Sequence, residues 1–181
     1  MLAFVLVVAY TYYFHQEKSV SALVSTAEFM ATPSSKAEAL APSRVSPAGL
    51  KEYRNEAPLF SLFYPKNLMI TQFKEPAGAT TLTFEDATGE YGFQIYIVPY
   101  AGTHVTKEQF NLDVPSKVMN QPIDVMIDTV RATMFFSRDA LLGDTREVWF
   151  IHNGFLYEVT AYKALDAWLA DIMQTWKFFT V

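Results

Sequence analysis

Residues 146–160 read Arg-Glu-Val-Trp-Phe-Ile-His-Asn-Gly-Phe-Leu-Tyr-Glu-Val-Thr, and this stretch decides the fold. Asn153-Gly154 supplies two residues that tolerate positive φ, as the type I′ turn of a two-residue hairpin requires. Counting outward from the turn sets Phe150 opposite Tyr157 and Val148 opposite Val159 on one face. Ile151 opposite Leu156 and Trp149 opposite Glu158 fall on the other. Both faces then read as largely apolar, so the hairpin belongs at the centre of a sheet with a layer on each side.

The C-terminal stretch supplies one cover. Leu165, Trp168, Leu169, Ile172, Met173 and Trp176 recur at i, i+3, i+4, i+7, i+8 and i+11, which predicts an amphipathic helix. Asp166 stands early and Lys177 late, as the helix dipole prefers. Upstream, residues 59–64, 68–73, 80–85, 93–98 and 129–136 read as strands bounded by turn residues. Thr106-Lys107-Glu108-Gln109 has capping-box spacing and predicts a short helix that runs toward Leu112 and stops at Pro115. Strands followed by a closing helix, without βαβ alternation, predict an α+β fold built on an antiparallel sheet between helices.

The charges divide the chain. The sequence has 181 residues and a formal net charge of −5, yet residues 1–14 carry no charge and residues 15–52 carry four of each sign. The net charge therefore lies on residues 53–181, which also hold most of the aromatic side chains a core needs. This predicts an apolar membrane anchor over 1–14, a Ser/Ala/Pro-rich tether over 15–52 and a folded domain over 53–181. As a helix the first segment is about 21 Å long, against about 30 Å for a hydrocarbon core, so a longer anchor beginning upstream is expected. The Tyr10, Tyr12, Tyr13, Phe14 cluster suits a membrane interface. A cleaved signal peptide and a buried strand are the competing readings of this segment. Leu23, Ala27, Met30 and Ala31 admit a short helix within the tether.

Composition and motifs exclude several chemistries. The acidic balance disfavours nucleic-acid binding, because neutralising phosphates needs a Lys/Arg surplus. The absence of cysteine removes disulfides, thiolate metal sites and thiol nucleophiles. Three histidines, His15, His104 and His152, have no metal-ligand spacing, and no cofactor or metal is expected. His104 and His152 read as solvated residues beside a cap and a turn. Phosphate-binding glycine motifs and a G-x-S-x-G elbow are both missing. The most polar constellation is Gly143-Asp144-Thr145-Arg146-Glu147, with Glu158 across the hairpin. Asp144, Arg146 and Glu158 are the binding candidates, since carboxylates beside an arginine form ligand clamps, although the same pattern also arises from cross-strand ion pairing. No catalytic residue is assigned.

Phe60-Ser61-Leu62-Phe63-Tyr64-Pro65, the meander after it, Gly154-Phe155-Leu156-Tyr157-Glu158-Val159-Thr160 and the closing Trp176-Lys177-Phe178 together resemble the PsbP-like family over most of residues 53–178. That family includes the extrinsic photosystem II protein and anchored bacterial relatives. The resemblance implies an antiparallel sheet between helices in an extracytoplasmic protein, and an accessory or binding module rather than an enzyme. No metal site is carried over from it. The resulting expectation is a single-pass, membrane-tethered domain displayed outside the cytoplasmic membrane. It would contact the bilayer through residues 1–14 and an envelope protein or small ligand through the domain. The alternatives are an envelope hydrolase using Asp144, Glu147 and Glu158, and a ligand-binding module using exposed Tyr91, Tyr96 or Tyr100.

Overall fold

In a computed structural model, which describes residues 43–179, the hairpin predicted at the Asn-Gly turn forms strands β8 (Gly143–His152) and β9 (Phe155–Tyr162). Asn153 and Gly154 take φ of 48° and 78°, as a type I′ turn demands. The register pairs Phe150 with Tyr157, Val148 with Val159, Ile151 with Leu156 and Trp149 with Glu158, as counted from the turn. The anchor over 1–14, the helix near Leu23 and most of the tether lie outside the described residues.

Seven strands form one antiparallel sheet in the order β3-β4-β5-β9-β8-β7-β6. Its other members are β3 (Met69–Lys74), β4 (Thr80–Glu85), β5 (Gly92–Pro99), β6 (Asn120–Ile127) and β7 (Val130–Asp139). The hairpin therefore lies in the middle, as its apolar content required. A smaller antiparallel sheet, β1-β2-β10, comprises β1 (Leu50–Glu56), β2 (Leu59–Pro65) and β10 (Lys177–Phe178). Helix α1 covers Lys107–Asp113, and a 3-10 turn at Lys163–Leu165 leads into α2, Asp166–Gln174.

One face of the large sheet makes the main core. Leu82, Phe84, Phe93, Ile95, Val148, Phe150, Tyr157 and Val159 meet Phe60 and Leu62 of β2 and Leu169, Ile172 and Met173 of α2. Trp176 is fully buried there, stacked on Phe60 at 4.3 Å between ring centroids, with the Phe150 and Tyr157 rings set edge-on. The cover on this face is thus a second sheet together with a helix, where sequence periodicity had suggested a helix alone. β1 and β10 escaped prediction because they pair only with β2, across turns and across most of the chain.

The domain begins earlier than residue 53. β1 starts at Leu50, and Ser43 and Arg44 both bond Glu52. Arg44 also donates to the Thr175 carbonyl and lies over the Phe63 ring, so residues 43–52 are docked on the domain rather than part of a tether. Burial pushes the Glu52 carboxyl up, but the hydrogen bonds from Ser43, Arg44 and Ser61 outweigh it and hold its pKa at about 2.

Gly92 opens β5 where it pairs with Glu85. A Cβ there would lie 2.1 Å from the Phe84 carbonyl oxygen and 2.8 Å from the Glu85 Cα, both backbone atoms that cannot swing aside. Gly92→Ala is expected to cost about 1–3 kcal/mol, read as a lower urea midpoint.

Candidate functional site

The second face of the large sheet differs from the first. Strand alternation sends Thr81 and Thr83 of β4, Gln94 and Tyr96 of β5, Glu158 and Thr160 of β9, and Thr145, Glu147 and Trp149 of β8 to this side. Nearly all are buried. The hairpin's second face, expected to be largely apolar, therefore carries two glutamates and two threonines at its centre.

Helix α1 covers part of this face. Thr106 caps it, with its hydroxyl accepting from the Gln109 amide, as the capping-box spacing predicted. The Gln109 side chain does not reach back to the cap; it donates instead to Asp113 at the other end of the helix. Phe110 and Val114 pack on Phe135 and Trp149, forming a small second core that seats the helix. A cavity of about 100 Å³ opens beside this core between β5, β8 and β9, the end of α1 and the Leu141-Leu142 turn, with Gln94, Asp113, Glu147 and Glu158 among its lining residues.

The electrostatics of this cavity are one-sided. Glu147 accepts from the Thr160 hydroxyl at 2.7 Å and from the Trp149 indole at 3.4 Å. Burial raises its pKa to about 7 even against these bonds. Glu158 is also pushed well up, by burial first and then by the neighbouring Asp113 and Glu147 carboxylates. Asp113 Oδ1, Glu158 Oε1 and Gln94 Oε1 are buried with no hydrogen-bond partner in the ionised protein. A proton on Glu158 lets it donate to the Asp113 carboxylate, which relieves part of that deficit. Thr160→Val would remove one of the bonds that stabilise the Glu147 carboxylate. Its pKa is expected to rise above 7, read by NMR titration of the Glu147 side-chain carboxyl.

The structure separates the residues singled out from sequence. Asp144 and Arg146 project to the opposite face from Glu158, because alternate residues of β8 face opposite ways. Asp144 is half-exposed and bonds Arg138 at 2.9 Å. Arg146 is buried, paired with Asp166 of α2 at 2.5 Å and stacked over Phe136. Of that constellation Thr145, Glu147 and Glu158 line the cavity. The aromatic candidates also scatter: Tyr96 is buried in the sheet, Tyr91 packs on Trp168, and Tyr100 donates to the His104 carbonyl. His152 lies against the Phe178 ring, 3.9 Å between centroids. Gln94 and Asp113 were missed. Gln94 was legible in principle, as a polar residue within Phe93-Gln94-Ile95-Tyr96-Ile97 of a central strand, whereas Asp113 joins the site only through the packing of α1.

No protein-family profile matches the sequence, and no curated protein matches it. Among solved structures, the chain is similar to the solution structure of cyanobacterial PsbP (CyanoP) from Synechocystis sp. PCC 6803, with a TM-score of 0.55 and 9% identity over 77% of this chain and 98% of that one. Residues 43–179 thus have a PsbP-like fold, a mostly antiparallel sheet with two helices.

Proposed function

We propose that the protein is a binding or assembly accessory, tethered to the membrane through residues 1–14, whose ligand site is the cavity under α1. The observation that carries this reading is a set of buried acceptors, Gln94 Oε1, Asp113 Oδ1 and Glu158 Oε1, that line one cavity and, with Glu158 ionised, find no donor among the described residues. Such groups cost stability, and folds keep them where a ligand completes them. The architecture is in keeping with it, since PsbP-like folds are associated with non-catalytic proteins. The apolar N-terminal segment supports the tether; among the described residues no helix is long and apolar enough to cross a membrane.

Thermal melts of the full chain against a panel of small cationic, neutral and anionic compounds test the site. A saturable rise in Tm with one class, lost when Gln94 and Glu158 are both replaced by Leu, supports it. No rise with any class overturns it. Protease digestion of the domain in intact cells and spheroplasts tests display outside the membrane, and protection in both contradicts it.

One observation favours a second reading, an envelope hydrolase. Glu147 at about pKa 7 and Glu158, also raised by burial, are two neighbouring carboxyls of the kind that general acid–base chemistry uses. Turnover of ester, amide or glycoside substrates that disappears in Glu147→Gln would establish it in place of the first.

A further inference from the structure

We propose that this cavity is a receptor for a small primary alkylammonium, with Gln94, Asp113 and Glu158 as its acceptors; the inference rests on the cavity being the ligand site. Once Glu158 is ionised, three acceptor atoms line it for which the described residues supply no donor, Gln94 Oε1, Asp113 Oδ1 and Glu158 Oε1, with the unpartnered Thr145 Oγ1 beside them. Gln94 and Glu158 are only 6% and 7% exposed, so water does not freely satisfy them. An alkylammonium carries three N–H donors and no acceptor, which complements that set in number and in sign.

Charge points the same way. Arg138 is the cation among the lining residues, but it is 69% exposed in its side chain and already paired with Asp144. Among the described residues, the acidic groups that line the cavity therefore have no buried counter-ion. Size and wall chemistry narrow the ligand further. A cavity of about 150 Å³ holds benzene, so one of about 100 Å³ holds an ammonium on a chain of a few carbons. Leu112, Val114 and Leu142 offer apolar contact for that chain. A metal ion fits less well: among the described residues no three Asp, Glu or His side chains are grouped to hold one.

Binding is coupled to a proton. Burial first, and then the neighbouring Asp113 and Glu147 carboxylates, favour the protonated form of Glu158. The groups that face it are Asp113 from α1, Glu147 from β8 and Tyr96 from β5, with Arg138 and Asp139 of β7 at the mouth and Glu75 beyond Tyr96. An entering alkylammonium supplies the positive charge that the Glu158 proton supplied, so the Glu158 O–H bond breaks and the proton leaves to solvent. The charge of the site is unchanged by the exchange. Affinity should therefore increase with pH through neutrality, until the amine itself loses its proton near pH 10.

Titration calorimetry of the full chain at pH 7 with n-butylammonium, in two buffers of different ionisation enthalpy, tests this. The expected result is saturable binding with net release of protons, and binding of n-butanol at least about tenfold weaker. Glu158→Gln should weaken n-butylammonium at least about tenfold and abolish proton release, while Gln94→Leu weakens it without abolishing release. Thermal melts establish that each variant is folded, and either variant alone suffices if the other is not. Equal binding of the amine and the alcohol, or unchanged affinity in both variants, overturns the inference. Binding of n-butanol without n-butylammonium overturns the ammonium while leaving the cavity a ligand site. Binding of neither probe, together with a flat compound panel, overturns both.

Discussion

Replacing Trp176 with alanine is expected to remove about 3–5 kcal/mol of folding free energy. Trp176 is fully buried and sits where three layers meet, stacked on Phe60 of β2 and edge-on to Phe150 and Tyr157 of the hairpin. It is also the residue from which the chain passes out of α2 into β10, so its loss opens the core and loosens the strand that follows. Domains of this size hold about 5–15 kcal/mol in total, so the variant should be marginal. Urea unfolding of the full chain should show a much lower midpoint with an unchanged slope. Trp168→Ala should cost less, because Trp168 is only partly buried, against Tyr91 and Phe93.

The second large effect is on pH dependence. The Glu147 pKa lies near 4.5 in the unfolded chain and rises to about 7 in the fold, chiefly through burial. Between those values the folded state binds more protons than the unfolded one, so stability falls as pH rises. The contribution is fully present below pH 4.5 and is lost by about pH 7, an effect of about 3 kcal/mol for Glu147 alone. Glu158 acts in the same direction. Glu52 works oppositely: its pKa of about 2 stabilises the fold above pH 4.5, and that contribution disappears as the pH falls toward 2. Stability should therefore peak in mildly acidic solution. Glu147→Gln keeps the shape and removes the charge, so at pH 8 its urea midpoint should exceed that of the natural protein. A lower midpoint at pH 8 would mean that the Glu147 carboxylate is stabilising in the fold.

The central hairpin was legible from one dipeptide. Asn-Gly fixes the turn, the turn fixes the register, and the register fixes every cross-strand pair from Thr145↔Tyr162 to His152↔Phe155. Helix α2 was legible because six apolar residues share a helical face and three of them, Leu169, Ile172 and Met173, are buried within it. β1 and β6 were not. Their residues are mostly half-buried or exposed, as on edge strands, and such strands lack the alternation that reveals a strand. The site was half legible: Glu147 and Glu158 were singled out, but Asp144 and Arg146 were grouped with them through nearness in sequence. Adjacent positions on a strand face opposite ways, so nearness in sequence joined groups that the sheet holds apart.

What the sequence determined by itself is what local rules govern: an antiparallel α+β domain, the hairpin register, the cap at Thr106, and the absence of thiol chemistry. The tertiary structure alone decided which polar residues become buried together. Asp113 meets Glu158 because Phe110 and Val114 seat α1 on Phe135 and Trp149, a contact between elements distant in the chain. Burial is a property of assembled layers, and the raised carboxyls of Glu147 and Glu158 are its consequence.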